Sequence, residues 1–272
     1  MAETTINHAI SGKTMIFGCL AHPVSHVRAP TIFNEIFKDQ NKDAVMVPLD
    51  VLPERLADGV AGLKAMPNFK GAAVTIPHKM PLAELCDALG PVAEITGAVN
   101  AVRFQDGRMM GDNFDGAGFV AGLYGQGHKI DAKRCLLIGA GGAARAIAYA
   151  LCKEPIASLD IHNRTLAKAQ DLVDAVSAHV PSAPLQATDA PDYGTYDIVI
   201  NATALGLGAN DAMPCEPDAL SPAVLVCDII MVPAQTSWLK AAEERGLACH
   251  YGRHMFDHQI ALIGDFIGVG EL

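Results

Sequence analysis

The stretch Ile138-Gly139-Ala140-Gly141-Gly142-Ala143-Ala144-Arg145 carries the strongest chemical signal in this 272-residue chain. Gly139, Gly141 and Ala144 fall in a G-x-G-x-x-A spacing, between a short apolar run, Cys135 to Ile138, and an alanine-rich helical pattern, Ala143 to Cys152. A strand that turns tightly into a helix presents backbone N–H groups and the positive end of the helix dipole to a phosphate. Gly139 allows the turn, Gly141 keeps a Cβ away from the phosphates, and Ala144 lets helix and strand pack closely. These residues suit a dinucleotide pyrophosphate. The end of the next strand bears on which dinucleotide. An acid there binds a ribose diol, whereas this chain reads Ile161-His162-Asn163-Arg164-Thr165, neutral and then basic. Arg164 suits a 2′-phosphate and favours NADP. NAD is the alternative, with Asp160 as its acid if the strand ends earlier.

Two further patterns carry less. His254 and His258 have the i, i+4 spacing of metal ligands on a helix, and His250 extends the series. Gly252 is expected to interrupt that helix and no third ligand or general-base glutamate follows, so no metal is assigned. The seven cysteines are odd in number and contain no C-x-x-C pair. They read as buried, reduced thiols of a cytosolic protein.

The elements that must position these residues are bounded by composition. Half of the residues are hydrophobic and 18% are charged, which suits an α/β protein with a buried parallel sheet. A formal net charge of −10 and the lack of any basic patch argue against a nucleic-acid partner and for a small molecule in a local pocket. Met1 to Lys13 is polar with one acid, unlike a signal peptide. The most apolar window, Cys135 to Cys152, holds three glycines and Arg145, and fits strand-loop-helix better than a membrane span.

Along the chain, strands are expected at Thr14–Gly18, Ala44–Pro48 and Gly71–Ile76. Helices are expected after Pro30 (placed at the first helical position), over Pro53–Lys64, and after Lys79 through Cys86. A β pair, Val99–Phe104 and Arg108–Gly111, and a helix to about Tyr124 follow. Beyond the glycine loop come a strand at Ala157–Ile161, a helix from Thr165 to about His179, and a loop or edge segment at Pro181–Tyr193. Short buried strands at Asp197–Asn201 and Val224–Asp228, a helix at Ala234–Arg245 capped by Gly246, and a last apolar helix at Met255–Ile267 complete the pattern. This alternation of strand and helix describes an α/β fold.

Several motifs together resemble the shikimate/quinate dehydrogenase family over nearly the whole chain. They are Val74-Thr75-Ile76-Pro77-His78-Lys79, Gly97-Ala98-Val99-Asn100, Gly111-Asp112-Asn113-Phe114-Asp115-Gly116, the glycine loop, Asn163-Arg164-Thr165 and Asn201-Ala202-Thr203. The resemblance implies two domains. One is a discontinuous α/β substrate domain, residues 1–116 completed by 252–272. The other is a Rossmann-type, doubly wound NAD(P)-binding domain, residues 117–251. The resemblance places cofactor on Gly139, Ala140, Gly141, Gly142, Ala143, Asn163, Arg164, Thr165, Ala202 and Thr203.

Hydride transfer between a secondary alcohol and nicotinamide needs a group that takes or gives the hydroxyl proton. Lys79, after a strand end and a proline turn, is placed to do this, and the resemblance implies that Asp115 pairs with it. A carboxylate beside it favours an ammonium ready to protonate a ketone, so oxidation is expected to quicken as pH rises. Thr75, Asn100 and Gln259 match substrate-contacting positions. The family's carboxylate-binding loop reads His-Ser-x-Ser-Pro, but here the stretch is His26-Val27-Arg28-Ala29-Pro30. Val27 and Ala29 leave that pocket without its hydroxyls, and Met231 replaces a family tyrosine. Each lost donor to a charged group costs on the order of 1–3 kcal/mol. The expected substrate is therefore a shikimate-like cyclic hydroxy acid other than shikimate. The alternatives are a quinate- or aminoshikimate-type dehydrogenase and, in another class, a non-catalytic NAD(P) sensor. The expected state is a cytoplasmic monomer or homodimer without nucleic-acid or membrane partners.

Overall fold

The computed structural model describes residues 10–208 and 210–271. Most of the polar N-terminal stretch weighed as a signal peptide, residues 1–9, lies outside them. The chain divides into two compact units, Met1–Asn113 with Ile260–Leu272, and Phe114–Gln259.

In the first unit the order is β1 (Met15–Ala21), α1 (Ala29–Asp39), β2 (Ala44–Asp50), α2 (Leu56–Lys64), β3 (Phe69–Val74), α3 (Lys79–Leu85), β4 (Ala88–Leu89), α4 (Pro91–Thr96), β5 (Ala101–Gln105) and β6 (Arg108–Asp112). The strands form a mixed sheet in the order β2-β1-β3-β5-β6-β4. β1 is parallel to both β2 and β3, whereas β5 runs antiparallel to β3 and β6. α1 buries Phe33 and Phe37, and the Phe37 ring packs 5.4 Å from that of Phe17 on β1. Pro30 is the second residue of α1, one place later than expected. The helix expected over 53–64 begins instead as a 3-10 turn, Pro53–Arg55, with α2 following.

The second unit contains α5 (Asp115–Gly125), β7 (Arg134–Ile138), α6 (Gly142–Leu151), β8 (Ser158–His162), α7 (Leu166–Ser177), β9 (Leu185–Thr188), β10 (Ile198–Asn201), β11 (Leu225–Asp228), α8 (Ser237–Glu244), β12 (Ala248–His250) and the start of α9 (Gly252–Ile267). Its sheet, ordered β12-β11-β10-β7-β8-β9, is parallel throughout. Successive strands step from β7 to one edge and then return to build the other half from β10, a doubly wound order whose switch point lies between β7 and β10. β10 and β11 are buried at every residue, which explains the apolar runs Ile198–Ile200 and Leu225–Cys227 that precede their polar last residues, Asn201 and Asp228.

Gly252 is the first residue of α9 rather than an interruption of it, and His250 lies on β12, outside the helical series. The 181–193 segment supplies the edge strand β9. All seven cysteines are free; Cys86 and Cys249 are half-buried and the rest buried. Among the described residues, no helix is long and apolar enough to cross a membrane.

Candidate active site

Within the first unit, three of the expected substrate-side residues are brought together at the strand ends by main-chain bonds. Thr75, just past β3, donates its N–H to Leu20 O at 3.0 Å, which ties it to β1. Val74 N–H donates to Asn100 O at 2.7 Å, and Val99 N–H to Lys79 O at 2.9 Å. Asn100 therefore lies beside the end of β3, and the first residue of α3, Lys79, beside the residue that precedes Asn100. Asn100 is buried, whereas Thr75 and Lys79 are half-buried.

Polar groups fix the loop that carries Asn100. Thr96 Oγ1 donates to Ala98 O at 3.0 Å, and Asn113 Nδ2 donates to the same oxygen at 3.2 Å. The Asp112 carboxylate accepts from the N–H groups of Ala93 and Asn113 at 3.0 and 2.8 Å. Val27 is half-buried and Ala29 buried, and neither side chain holds a hydrogen-bonding atom.

His78 is a residue that sequence reasoning missed. It is fully buried, and its Nε2 donates to Val51 O at 2.8 Å, fastening the turn before Lys79 to the segment after β2. Its partner is a main-chain oxygen 27 residues away, which no local pattern discloses.

In the second unit, the expected cofactor residues converge at the C-terminal ends of β7, β8 and β10. Gly139 N–H donates to His162 O, and Ala202 N–H to Ile138 O, each at 2.8 Å. Gly139 has a φ of 121°, and a Cβ there would stand 2.8 Å from Ala202 O, so only glycine fits. Gly141 is the N-cap of α6 and brings no capping side chain; the space its Cβ would enter is open. The first N–H groups of α6 are thus left to an outside acceptor, which fits a pyrophosphate. Ala144 is fully buried where α6 meets the sheet.

Asn163 Nδ2 donates to Thr165 O at 2.9 Å and shapes the turn that leaves Arg164 exposed. Asp160 does not stand at the end of its strand, the place an acid of an NAD site would take. β8 runs on to His162, and the Asp160 carboxylate accepts from Tyr196 OH at 2.6 Å and Gln186 Nε2 at 3.1 Å.

Thr203 is bound through both its N–H and Oγ1 to Asn201 Oδ1, at 3.1 and 2.7 Å. Asn201 Nδ2 in turn donates to buried Asp228, which also accepts from Thr236 Oγ1 at 2.9 Å and Ile230 N–H at 3.0 Å. Burial raises the Asp228 carboxyl above its ordinary range, and the hydrogen bonds from Ile230, Asn201 and Thr236 oppose that shift.

Asp115, the first residue of α5, and Gln259, on α9, are both buried. They share a neighbourhood, because a Cβ on Gly118, one turn into α5, would stand 2.6 Å from Gln259 Cβ. Lys79 belongs to the first unit and Asp115 to the second.

The histidines of α9 and β12 form an imidazole cluster. The His250 ring lies 5.1 Å from that of His254 and 5.4 Å from that of His128, and both its nitrogens are buried without partners. His258 Nδ1 donates to His254 O at 2.8 Å. Among the described residues, no group of three or more candidate ligands is arranged to hold a metal. Burial first, and then the imidazoles of His254, His128 and His258, push His250 down from 6.5 to about 3. The fold therefore favours the neutral ring. That stabilisation is complete above pH 6.5 and is lost as pH falls toward 3, because the unfolded chain binds the proton more readily. Lowering the pH from 7 to 5 is expected to cost about 2 kcal/mol through this group. Urea midpoints at the two pH values check this, and His250→Leu should flatten the difference.

Comparison with known proteins identifies the family. A model for the shikimate dehydrogenase substrate-binding domain matches residues 19–102, and one for shikimate / quinate 5-dehydrogenase matches residues 124–213. A shikimate dehydrogenase (NADP(+)) from Rubrobacter xylanophilus is 40% identical, over 92% of this chain and 89% of its own length. The crystal structure of shikimate 5-dehydrogenase from Listeria monocytogenes, in complex with shikimate and NAD, is 31% identical with a TM-score of 0.86, covering 96% of this chain and 94% of that one. A ligand-free 5-ketofructose reductase from Gluconobacter is also 31% identical, with a TM-score of 0.82 over 94% of this chain and 93% of that one. The chain belongs to the shikimate/quinate dehydrogenase family of NAD(P)-dependent CH–OH oxidoreductases.

Proposed function

We propose that this chain interconverts a secondary alcohol and a ketone on a shikimate-like polyhydroxylated substrate, with NADP as the preferred cofactor. The observation that carries this reading is the gathering of Thr75, Lys79 and Asn100 at the strand ends of the first unit. Bound nicotinamide supplies or accepts the hydride. Lys79 Nζ gives its proton to the ketone oxygen during reduction and regains it during oxidation, with Asp115 as its acid–base partner. Thr75, Asn100 and Gln259 hold substrate hydroxyls. Gly139 to Ala143 and the start of α6 receive the pyrophosphate, with Ala202 and Thr203 beside it. Arg164, on the turn made by Asn163 and Thr165, meets the 2′-phosphate.

The finer reading concerns the end of the substrate that meets the loop before α1. Val27 and Ala29 offer no hydroxyl there, which supports a substrate less dependent on a carboxylate than shikimate. A neutral keto-sugar is such a molecule, and the relative named 5-ketofructose reductase supports that class. A second reading, shikimate itself, is favoured by the 40% identity to a relative named shikimate dehydrogenase (NADP(+)).

Steady-state kinetics with 5-ketofructose, shikimate, quinate and aminoshikimate, each with both cofactors, test these readings. The expected result is a kcat/KM at least about tenfold higher for the neutral ketone than for shikimate, and higher with NADP(H) than with NAD(H), a difference of about 1.4 kcal/mol. A faster reaction with shikimate selects the second reading. Calorimetric binding of NADP with no turnover of any compound selects a sensor.

A further inference from the structure

We propose that His22 and Asp50 form a substrate-contacting pair that reads a hydroxyl group at the loop where Val27 and Ala29 stand. This rests on the functional reading of the first unit and names a residue pair outside that reading. Ala21 and Asp50 are the last residues of β1 and β2 and lie opposite one another in register. His22 follows immediately, and its N–H donates to Ile76 O at 3.4 Å, in the turn between Thr75 and Lys79. The pair therefore occupies the carboxyl edge of the same parallel strands that place Thr75 and Lys79, the edge at which α/β sheets bind ligands.

The chemistry of the pair selects its ligand. His22 Nδ1 and Asp50 Oδ1 are 2.8 Å apart. A carboxylate only accepts, so Nδ1 carries a proton toward it, and in the neutral tautomer that this contact selects Nε2 on the far side is an acceptor. The side chains are 36% and 50% exposed, open to a ligand as a core pair would not be. An acceptor backed by a carboxylate welcomes an O–H donor and repels a second carboxylate. The group it reads is therefore a hydroxyl of a neutral polyol or keto-sugar. This is the reverse of a pocket that offers hydroxyl donors to an acid.

The test uses the full chain with 5-ketofructose as probe, comparing wild type with His22→Ala, His22→Gln and Asp50→Ala. The expected result for His22→Ala is a KM for 5-ketofructose raised about tenfold, with kcat within about threefold and the KM for NADPH unchanged. Asp50→Ala should give a smaller rise by releasing the tautomer, and His22→Gln should recover part of the loss through its amide oxygen. A shift below about twofold, or an equal change in the KM for NADPH, overturns the pair while leaving the dehydrogenase reading intact. Calorimetry of 5-ketofructose without NADPH separates the two claims. Binding by wild type that is lost in His22→Ala, without turnover in either, supports the pair and overturns the keto-sugar as the molecule that is reduced. Neither binding nor turnover of 5-ketofructose by wild type overturns the pair together with the keto-sugar reading, and leaves shikimate as the substrate to be tested.

Discussion

Lys79→Ala is expected to lower kcat by about 10²–10⁴-fold, the usual contribution of a positioned acid–base group, while the Kd for NADP stays within about twofold. The fold should tolerate the change. Lys79 opens α3 and is half-buried, and alanine is the better helix former. Its main-chain oxygen, which accepts from Val99 N–H at 2.9 Å, is unaffected by truncation of the side chain. Lys79→Arg should be nearly as slow, because a guanidinium keeps the charge but does not release its proton. Steady-state rates at saturating substrate, with calorimetric NADP titrations on the same samples, check both variants. An unchanged kcat in Lys79→Ala would remove the residue from the chemistry. Retained cofactor binding with lost turnover separates a catalyst from a sensor, since a sensor has no turnover to lose.

Gly116→Ala is expected to be the most damaging single-methyl addition in α5. Its Cβ would stand 2.0 Å from Ala146 O and 2.5 Å from the Ala146 carbonyl carbon, both backbone atoms of α6 that no rotamer change can move aside. The helices must separate, at a cost of about 3 kcal/mol by comparison with overpacked cores. Gly62→Ala in α2 is the control, because nothing lies within 4 Å of its added Cβ. There the substitution should stabilise by up to about 1 kcal/mol through helix propensity. Urea midpoints distinguish the two. Gly116→Ala should also reduce activity, since any shift of α5 carries Asp115 with it.

The Rossmann-type unit was the more legible part of the chain. A glycine triplet between an apolar strand and an alanine-rich helix is a local pattern, and local pattern is what a sequence displays. β4 and β12 went unread because Ala88–Leu89 and Ala248–His250 are too short for any alternation to register. α4 was missed as a six-residue helix entered through Pro91 and closed by Gly97, which leaves no room for an apolar stripe. Asp160 shows the opposite failure. Its spacing from Gly139 invited a ribose contact, yet its direction is set by Tyr196 and Gln186, far along the chain. Lys79, Asn100 and Asp115 were singled out through motifs, whereas His78 and the His22–Asp50 pair depend on contacts between distant segments.

The last helix has a consequence for how the polypeptide matures. Residues from Ile260 onward complete the first unit: Ile267 lies where a Cβ on Gly71 of β3 would meet it at 2.7 Å, and Val269 O accepts from Lys42 Nζ. During synthesis, everything needed by the Phe114–Gln259 unit emerges before the segment that the N-terminal strands await. The strands made first are thus the last to be finished, and their apolar surface stays uncovered until the segment from Ile260 packs on it.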